Sequence, residues 1–267
     1  MSYTGQLITF EGLDGCGKTT QLHAVFDWLS RSGRLPEGTK VVKTREPGCL
    51  LGVRDLLKNP KAAITPKAEL LLLMADRAQH VATVIMPELE KGNWVLCDRF
   101  YASTLAYQGW GRGLGPEAVE KAHELACGVL YPDLELFFDV PVDESMRRLS
   151  RRENDGLTVR DRFERSERPF FDRILTGFHK PNEQMGLKWY PVVTIDGCQT
   201  VDEITRECIR LVSQLLPREA NFTDVPPCRV DDPEFWYDTS KETYKVRLER
   251  ETSRIQPRSC KTDEKLC

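Results

Sequence analysis

Residues 7–21 read LITFEGLDGCGKTTQ, a short apolar run that passes straight into glycines, a lysine and two threonines. Gly12, Gly17, Lys18 and Thr19 satisfy the pattern G-x-x-x-x-G-K-[ST], directly after a strand-like run and directly before a helical one. Glycine at positions 12, 15 and 17 lets backbone N–H groups turn inward around phosphates, at the positive end of a helix that begins near Lys18. In such a loop the Lys18 ammonium bridges the β- and γ-phosphates, the Thr19 hydroxyl ligates Mg2+, and Thr20 follows on the same turn. The stretch predicts nucleoside triphosphate binding and leaves the acceptor open.

Working outward, apolar and β-branched runs at 7–10, 41–43, 94–97, 134–139 and 192–195 read as short buried strands, each followed by a helical pattern. Pro66 can start a helix after Thr65, and KAELLLLMADRAQHVATVIM continues it until Pro87, which is expected to kink or redirect the chain. Helical spacing returns at 117–130 and 201–216. This alternation predicts an α/β, three-layer fold: a five-stranded parallel sheet flanked by helices, with ligands at the carboxyl ends of the strands. The domain is expected to span residues 1–216. Residues 217–267 are charged, proline-punctuated and poor in periodic apolar positions, and read as a C-terminal extension whose cluster of Phe235, Trp236 and Tyr237 packs on the body or on a partner.

Composition narrows the function classes. The chain of 267 residues is 40% hydrophobic and 30% charged, enough for one α/β core and an appendage. A net charge of -3 gives no broadly basic surface, so direct nucleic-acid binding is not expected and phosphate chemistry must be local. No stretch approaches the ~20 apolar residues that span a bilayer. Without a secretory-leader pattern, a cytoplasmic setting is expected. Nine scattered cysteines with no C-x-x-C pair read as free thiols; Cys16, inside the glycine loop, reads as a small filling residue.

Arginines at strand ends suggest a second phosphate site. TREPG carries Arg45, MADRAQ carries Arg77, and VLCDRFYASTLAYQGWGRG carries Asp98 and Arg99. With FEGLDGCGKTT, DRFE and TIDG in the same order, residues 6–216 resemble the thymidylate kinase family, P-loop nucleoside monophosphate kinases. The resemblance implies transfer of the ATP γ-phosphoryl group to dTMP, with Mg2+ as cofactor and a homodimer as the usual assembly.

By resemblance, Asp14 contacts the deoxyribose 3′-hydroxyl, and Arg99 grips the acceptor phosphate near the transferring group. Asp98 belongs to the outer shell of the magnesium. Arg45 and Arg54 hold the acceptor phosphate, and the Glu46–Pro47 bond is expected cis, with Pro47 against the substrate. Arg77 donates to the thymine O4, Ser103, Thr104 and Gln108 stand at the sugar and base edge, and Tyr107 crowds the 2′ position. Asp196, in TIDG, lines the adenine side, while the role of Glu11 stays open. Two positions depart from the family pattern. Leu73 stands where the family stacks a phenylalanine on the base, which opens the alternative of a 5-modified dUMP or a broader set of deoxynucleoside monophosphates. Gly15 stands where some members place a catalytic arginine, so the charge is expected from a lid at about 147–165, through Arg162 first and then Arg152 and Arg160.

The same residues bear on two readings from other classes. A GTPase switch needs an N-K-x-D guanine reader, which the sequence lacks. A non-catalytic nucleotide sensor would have no need of the Lys18, Thr19, Asp98 and Arg99 set that the chain retains.

Overall fold

The computed structural model describes residues 4–156, 160–180 and 190–216. The expected extension from 217 onward, with its aromatic cluster, lies outside the described residues, as do 157–159 of the expected lid. Five strands form one parallel sheet: β1 (Gln6–Gly12), β2 (Val41–Arg45), β3 (Trp94–Asp98), β4 (Leu134–Asp139) and β5 (Val192–Asp196), in the order β2-β3-β1-β4-β5. The apolar runs locate every strand. Four of the strands run on past the apolar stretch to Gly12, Arg45, Asp98 and Asp196 at the carboxyl edge of the sheet, where polar residues and glycine replace the buried run.

Burial on both faces explains the near-continuous apolar strands. Ile8 and Phe10 of β1 join Trp94 and Leu96 of β3 under α1 (Lys18–Arg31) and the last long helix, Val201–Val212. Leu7, Val95 and Cys97 point the other way, toward α3 (Pro66–His80), which follows the short α2 (Val53–Lys58). Thr65 caps α3 by accepting from Ala68 N, with Pro66 in its first turn.

At Pro87, where a kink or redirection is expected, the helix changes its winding and continues. A π-helical stretch, Val81–Ile85, precedes it, and α4 (Met86–Glu90) carries Pro87 in its first turn. The wider turn relieves the clash and the missing donor that proline brings to an α-helix interior. A second π stretch, Leu105–Gly111, follows α5 (Tyr101–Thr104). Then come α6 (Pro116–Cys127), α7 (Val142–Asn154) and α8 (Arg168–His179), with Val201–Val212 as α9.

Topology fixes where ligands go. The chain leaves β1 toward one edge of the sheet and leaves the adjacent β3 toward the other, so a crevice opens between their carboxyl ends. Helix α8 presses the second π stretch against that crevice, and the contact depends on Gly177. A Cβ there would stand 2.8 Å from Trp110 Cδ1 and 2.9 Å from the Ala106 Cα. In a free helix Gly→Ala stabilises by roughly 1 kcal/mol. Here Gly177→Ala is expected to destabilise by about 1–3 kcal/mol, read as a lower urea midpoint, because backbone must move to admit the methyl.

Candidate active site

The glycine loop after β1 forms as its pattern requires. Gly17, at φ 97°, stands just before α1, which starts at Lys18. At Gly12 a Cβ would meet the Phe138 carbonyl oxygen at 2.7 Å, so no larger residue fits that turn. Lys18 is buried and donates to the Leu13 carbonyl at 3.3 Å, with Asp14 at 3.7 Å. The Thr19 hydroxyl donates to Asp98 Oδ2 at 2.6 Å, joining the loop to the end of β3. Asp98 Oδ1 is buried and has no hydrogen-bond partner among the described residues.

Arg99, the next residue, takes a left-handed backbone with φ 73°, rare for a side chain of this kind and a mark of a constrained site. That conformation turns its guanidinium back over the loop. Nη2 donates to Asp14 Oδ1 at 2.6 Å, and Nη1 donates to Ser103 Oγ at 2.9 Å and to the Gly12 carbonyl at 3.1 Å. Tyr107 closes the group by donating to Asp14 Oδ2 at 3.1 Å. Burial alone would raise the Asp14 carboxyl, but Arg99 first, then Lys18 and Lys58, hold it well below the usual carboxylate range. Glu11 lies beneath, fully buried, and accepts from the Phe100 N–H and the Ser103 hydroxyl, while burial pushes its carboxyl up.

A cavity of about 330 Å³ opens over this group. Its wall includes Asp14, Lys18, Thr19, Arg45, Pro47, Arg54, Leu73, Arg77, Asp98, Arg99, Ser103, Thr104, Tyr107, Gln108 and Arg152, so the structure brings together most of the expected site. The Glu46–Pro47 bond is cis, and Arg54 Nη1 donates to the Pro47 carbonyl at 2.8 Å. Burial and then the neighbouring Arg45 lower the Arg54 pKa, the mark of cations crowded together ahead of an anion. The four-residue spacing of Ser103 to Tyr107 and of Thr104 to Gln108 puts all four on one side of the widened helix.

Several expected residues lie elsewhere. Arg162 is not on the cavity wall: its Nη2 donates to Glu69 Oε2 at 2.6 Å and its Nε to the Leu57 carbonyl at 2.9 Å, so its charge is drawn onto α3 and the end of α2. Of the arginines in the expected lid, Arg152 reaches the cavity. Arg160 pairs with Glu153 at 2.9 Å. Asp196 accepts from the Cys198 N–H at 2.9 Å, capping its own turn away from this cavity. Gly12, Gly15, Gly17 and Thr20 shape the loop without lining the cavity. Cys16 is buried, and burial raises its thiol pKa, which agrees with the filling role.

Sequence reasoning missed the residues that brace the site. Glu46 accepts from Arg77 Nε at 2.7 Å and faces His80 Nδ1 at 3.0 Å. Despite burial, Arg77 and then His80 hold the Glu46 carboxyl below its usual value. Asp76, fully buried, accepts from the N–H groups of Gly48, Cys49 and Leu50, fixing the loop behind Pro47. Lys58, Asp161, Phe163 and Glu164 complete the wall from α2 and the lid. The sequence signal for these residues was their place inside quoted motifs, Glu46 in TREPG, Asp76 in MADRAQ, and Asp161, Phe163 and Glu164 in DRFE; His80 and Lys58 had none there.

His123 stands behind Arg77. Its Nδ1 lies 3.3 Å from Arg77 Nη1 and its Nε2 lies 3.0 Å from the Leu130 carbonyl, an arrangement that suits the neutral Nε2–H tautomer. Burial, then Arg77, pushes its pKa down to about 4. A histidine kept neutral in the fold but titrating near 6.5 when unfolded contributes stability above that pH, lost as pH falls toward 4. Comparing urea midpoints of the parent and His123→Gln between pH 7 and pH 4 is expected to show the parent losing up to about 3 kcal/mol more over this window.

The thymidylate kinase family model matches residues 10–207. A thymidylate kinase of Prochlorococcus marinus (strain MIT 9313) is 47% identical over 180 residues, covering 66% of this chain and 81% of that one. That of Parasynechococcus marenigrum (strain WH8102) is 45% identical over 186 residues, covering 68% and 86%. A third, from Prochlorococcus marinus (strain NATL2A), is 39% identical over 214 residues and covers 78% and 98%. With the parallel five-stranded sheet, the glycine loop and the arginine-lined crevice beside it, this reach across the domain means that the chain belongs to the thymidylate kinase family.

Proposed function

We propose that this enzyme transfers the γ-phosphoryl group of ATP to dTMP, giving ADP and dTDP. The observation that carries the reading is Arg99, whose guanidinium lies between the glycine loop and a cavity that Arg45 and Arg54 also line. One side suits a triphosphate and the other a monophosphate. An oxygen of the acceptor phosphate attacks the γ-phosphorus in line; the bond to the β,γ-bridging oxygen breaks, and ADP leaves with that electron pair. The acceptor is already anionic, so no protein nucleophile is required. The chain positions two polyanions and offsets their repulsion with Lys18, Arg99, Arg45, Arg54 and Arg152.

Mg2+ fits the same place. Thr19 Oγ1 and the Asp98 carboxylate, one oxygen of which is buried with no partner among the described residues, are hard oxygen donors of the kind this ion takes alongside water and phosphate. When bound there, it neutralises charge on the transferring phosphates. Asp14 and Tyr107 suit a deoxyribose, and Arg77 with Gln108 a pyrimidine edge. Arg162, braced on Glu69, positions the lid, whereas Arg152 supplies the charge.

A homodimer accords with an apolar face. Leu71 on α3 is 64% exposed, and Leu125 on the neighbouring α6 is 88% exposed. Leu125→Glu is expected to shift the mass measured by light scattering from two copies to one. No helix among the described residues is long and apolar enough to cross a membrane, which accords with a cytoplasmic site of action.

Leu73 on the cavity wall favours a second reading, a wider or modified pyrimidine specificity. A coupled ADP-release assay with Mg2+, ATP and dTMP, dUMP, 5-hydroxymethyl-dUMP or dCMP separates the two. Strong preference for dTMP is expected, and turnover of none of them would refute the kinase reading. Leu73→Phe is expected to lower the KM for dTMP by roughly 2- to 10-fold, the worth of one aromatic stack.

A further inference from the structure

Glu69 is fully buried in the first turn of α3, in the run PKAELLLL, and touches no reacting group. One of its oxygens, Oε1, accepts from Gln108 Nε2 at 2.7 Å and from Arg112 Nε at 3.2 Å; the other, Oε2, accepts from Arg162 Nη2 at 2.6 Å. In all three the carboxylate accepts. Gln108 lines the cavity beside Arg77 and Thr104, and it can turn either end of its amide outward. Only the N–H end can face an acceptor, so Glu69 sets the flip: Nε2 inward, Oε1 as the end available to the cavity.

From this we infer that Glu69 is a specificity-determining positioning residue, which locks the Gln108 amide with its oxygen toward the base; the inference rests on the dTMP kinase reading above. An oxygen at that place accepts from the N3–H of a thymine or uracil ring. Cytosine offers a bare N3 acceptor there and is refused, because two acceptors would face each other in a buried site. The same carboxylate anchors Arg162 of the lid, so the base reader and the cover of the cavity share one brace.

The test compares kcat and KM for dTMP and dCMP in the parent, Glu69→Gln, Gln108→Leu and the double variant. A glutamine at 69 can present either end to Gln108 and so frees the flip. In Glu69→Gln the dTMP-to-dCMP ratio of kcat/KM is expected to fall roughly tenfold, chiefly through KM. Added to Gln108→Leu, it is expected to lower the ratio no further. An unchanged ratio in Glu69→Gln, or an equal fall in the Gln108→Leu background, would overturn the inference. If the parent does not phosphorylate dTMP at all, the kinase reading fails instead. Should Glu69→Gln not fold, exchange of the Gln108 side-chain amide in the parent decides: its NMR signal, identified by its loss in Gln108→Leu, is expected to exchange slowly without ligand. Fast exchange would mean that Glu69 does not hold it.

Discussion

The arrangement of the site depends on where the Arg99 guanidinium sits. It meets Asp14, Ser103 and the Gly12 carbonyl at once, and its backbone occupies a left-handed conformation to reach them. A desolvated guanidinium is tolerated only where acceptors surround it, and here the acceptors come from β1, from the glycine loop and from α5. Two strand ends, a loop and a helix are thereby held in one geometry. Removing any one partner would disturb both the glycine loop and the cavity wall, because Arg99 touches the one and belongs to the other.

Around that centre the braces are carboxylates: Glu11 under Ser103, Glu46 behind Arg77, Asp76 under the loop after Pro47, and Glu69 behind Gln108. Each is largely or wholly buried, and each is matched by donors from an element distant in sequence. The pattern follows from what a binder of two polyanions must do. Its cations have to point into one cavity despite their mutual repulsion, and buried carboxylates hold them there at fixed angles.

How much of this could be read in the sequence divides along the same line. The strands were legible because burial on both faces leaves continuous apolar runs, and the glycine loop because close approach and positive φ leave few residue choices. The cavity-facing residues of TREPG and DRFYASTLAYQ were legible through family resemblance. Glu69 and His123 were not, since a charged or polar residue inside a helical run carries no mark of the partner it will meet 39 or 46 positions away. The partners of Arg162 were hidden for a related reason: its motif names the residue, but only the fold shows that Glu69 and Leu57 engage its guanidinium. Pro87 marked an irregularity in the helix but not its form, because the π turn before it has no simple sequence signature.

The second π stretch, Leu105–Gly111, has a consequence for how this protein can vary. A π turn holds one residue more than an α turn, so removing one would close the stretch to an α-helix and re-aim the side chains that the widened turns carry. Tyr107, which donates to Asp14, and Gln108, which donates to Glu69, lie inside it and would both turn off their partners together. Chain length is therefore as constrained across these seven residues as identity is in the glycine loop. A single deletion there would read, in a survey of variants, like a loss of the site itself.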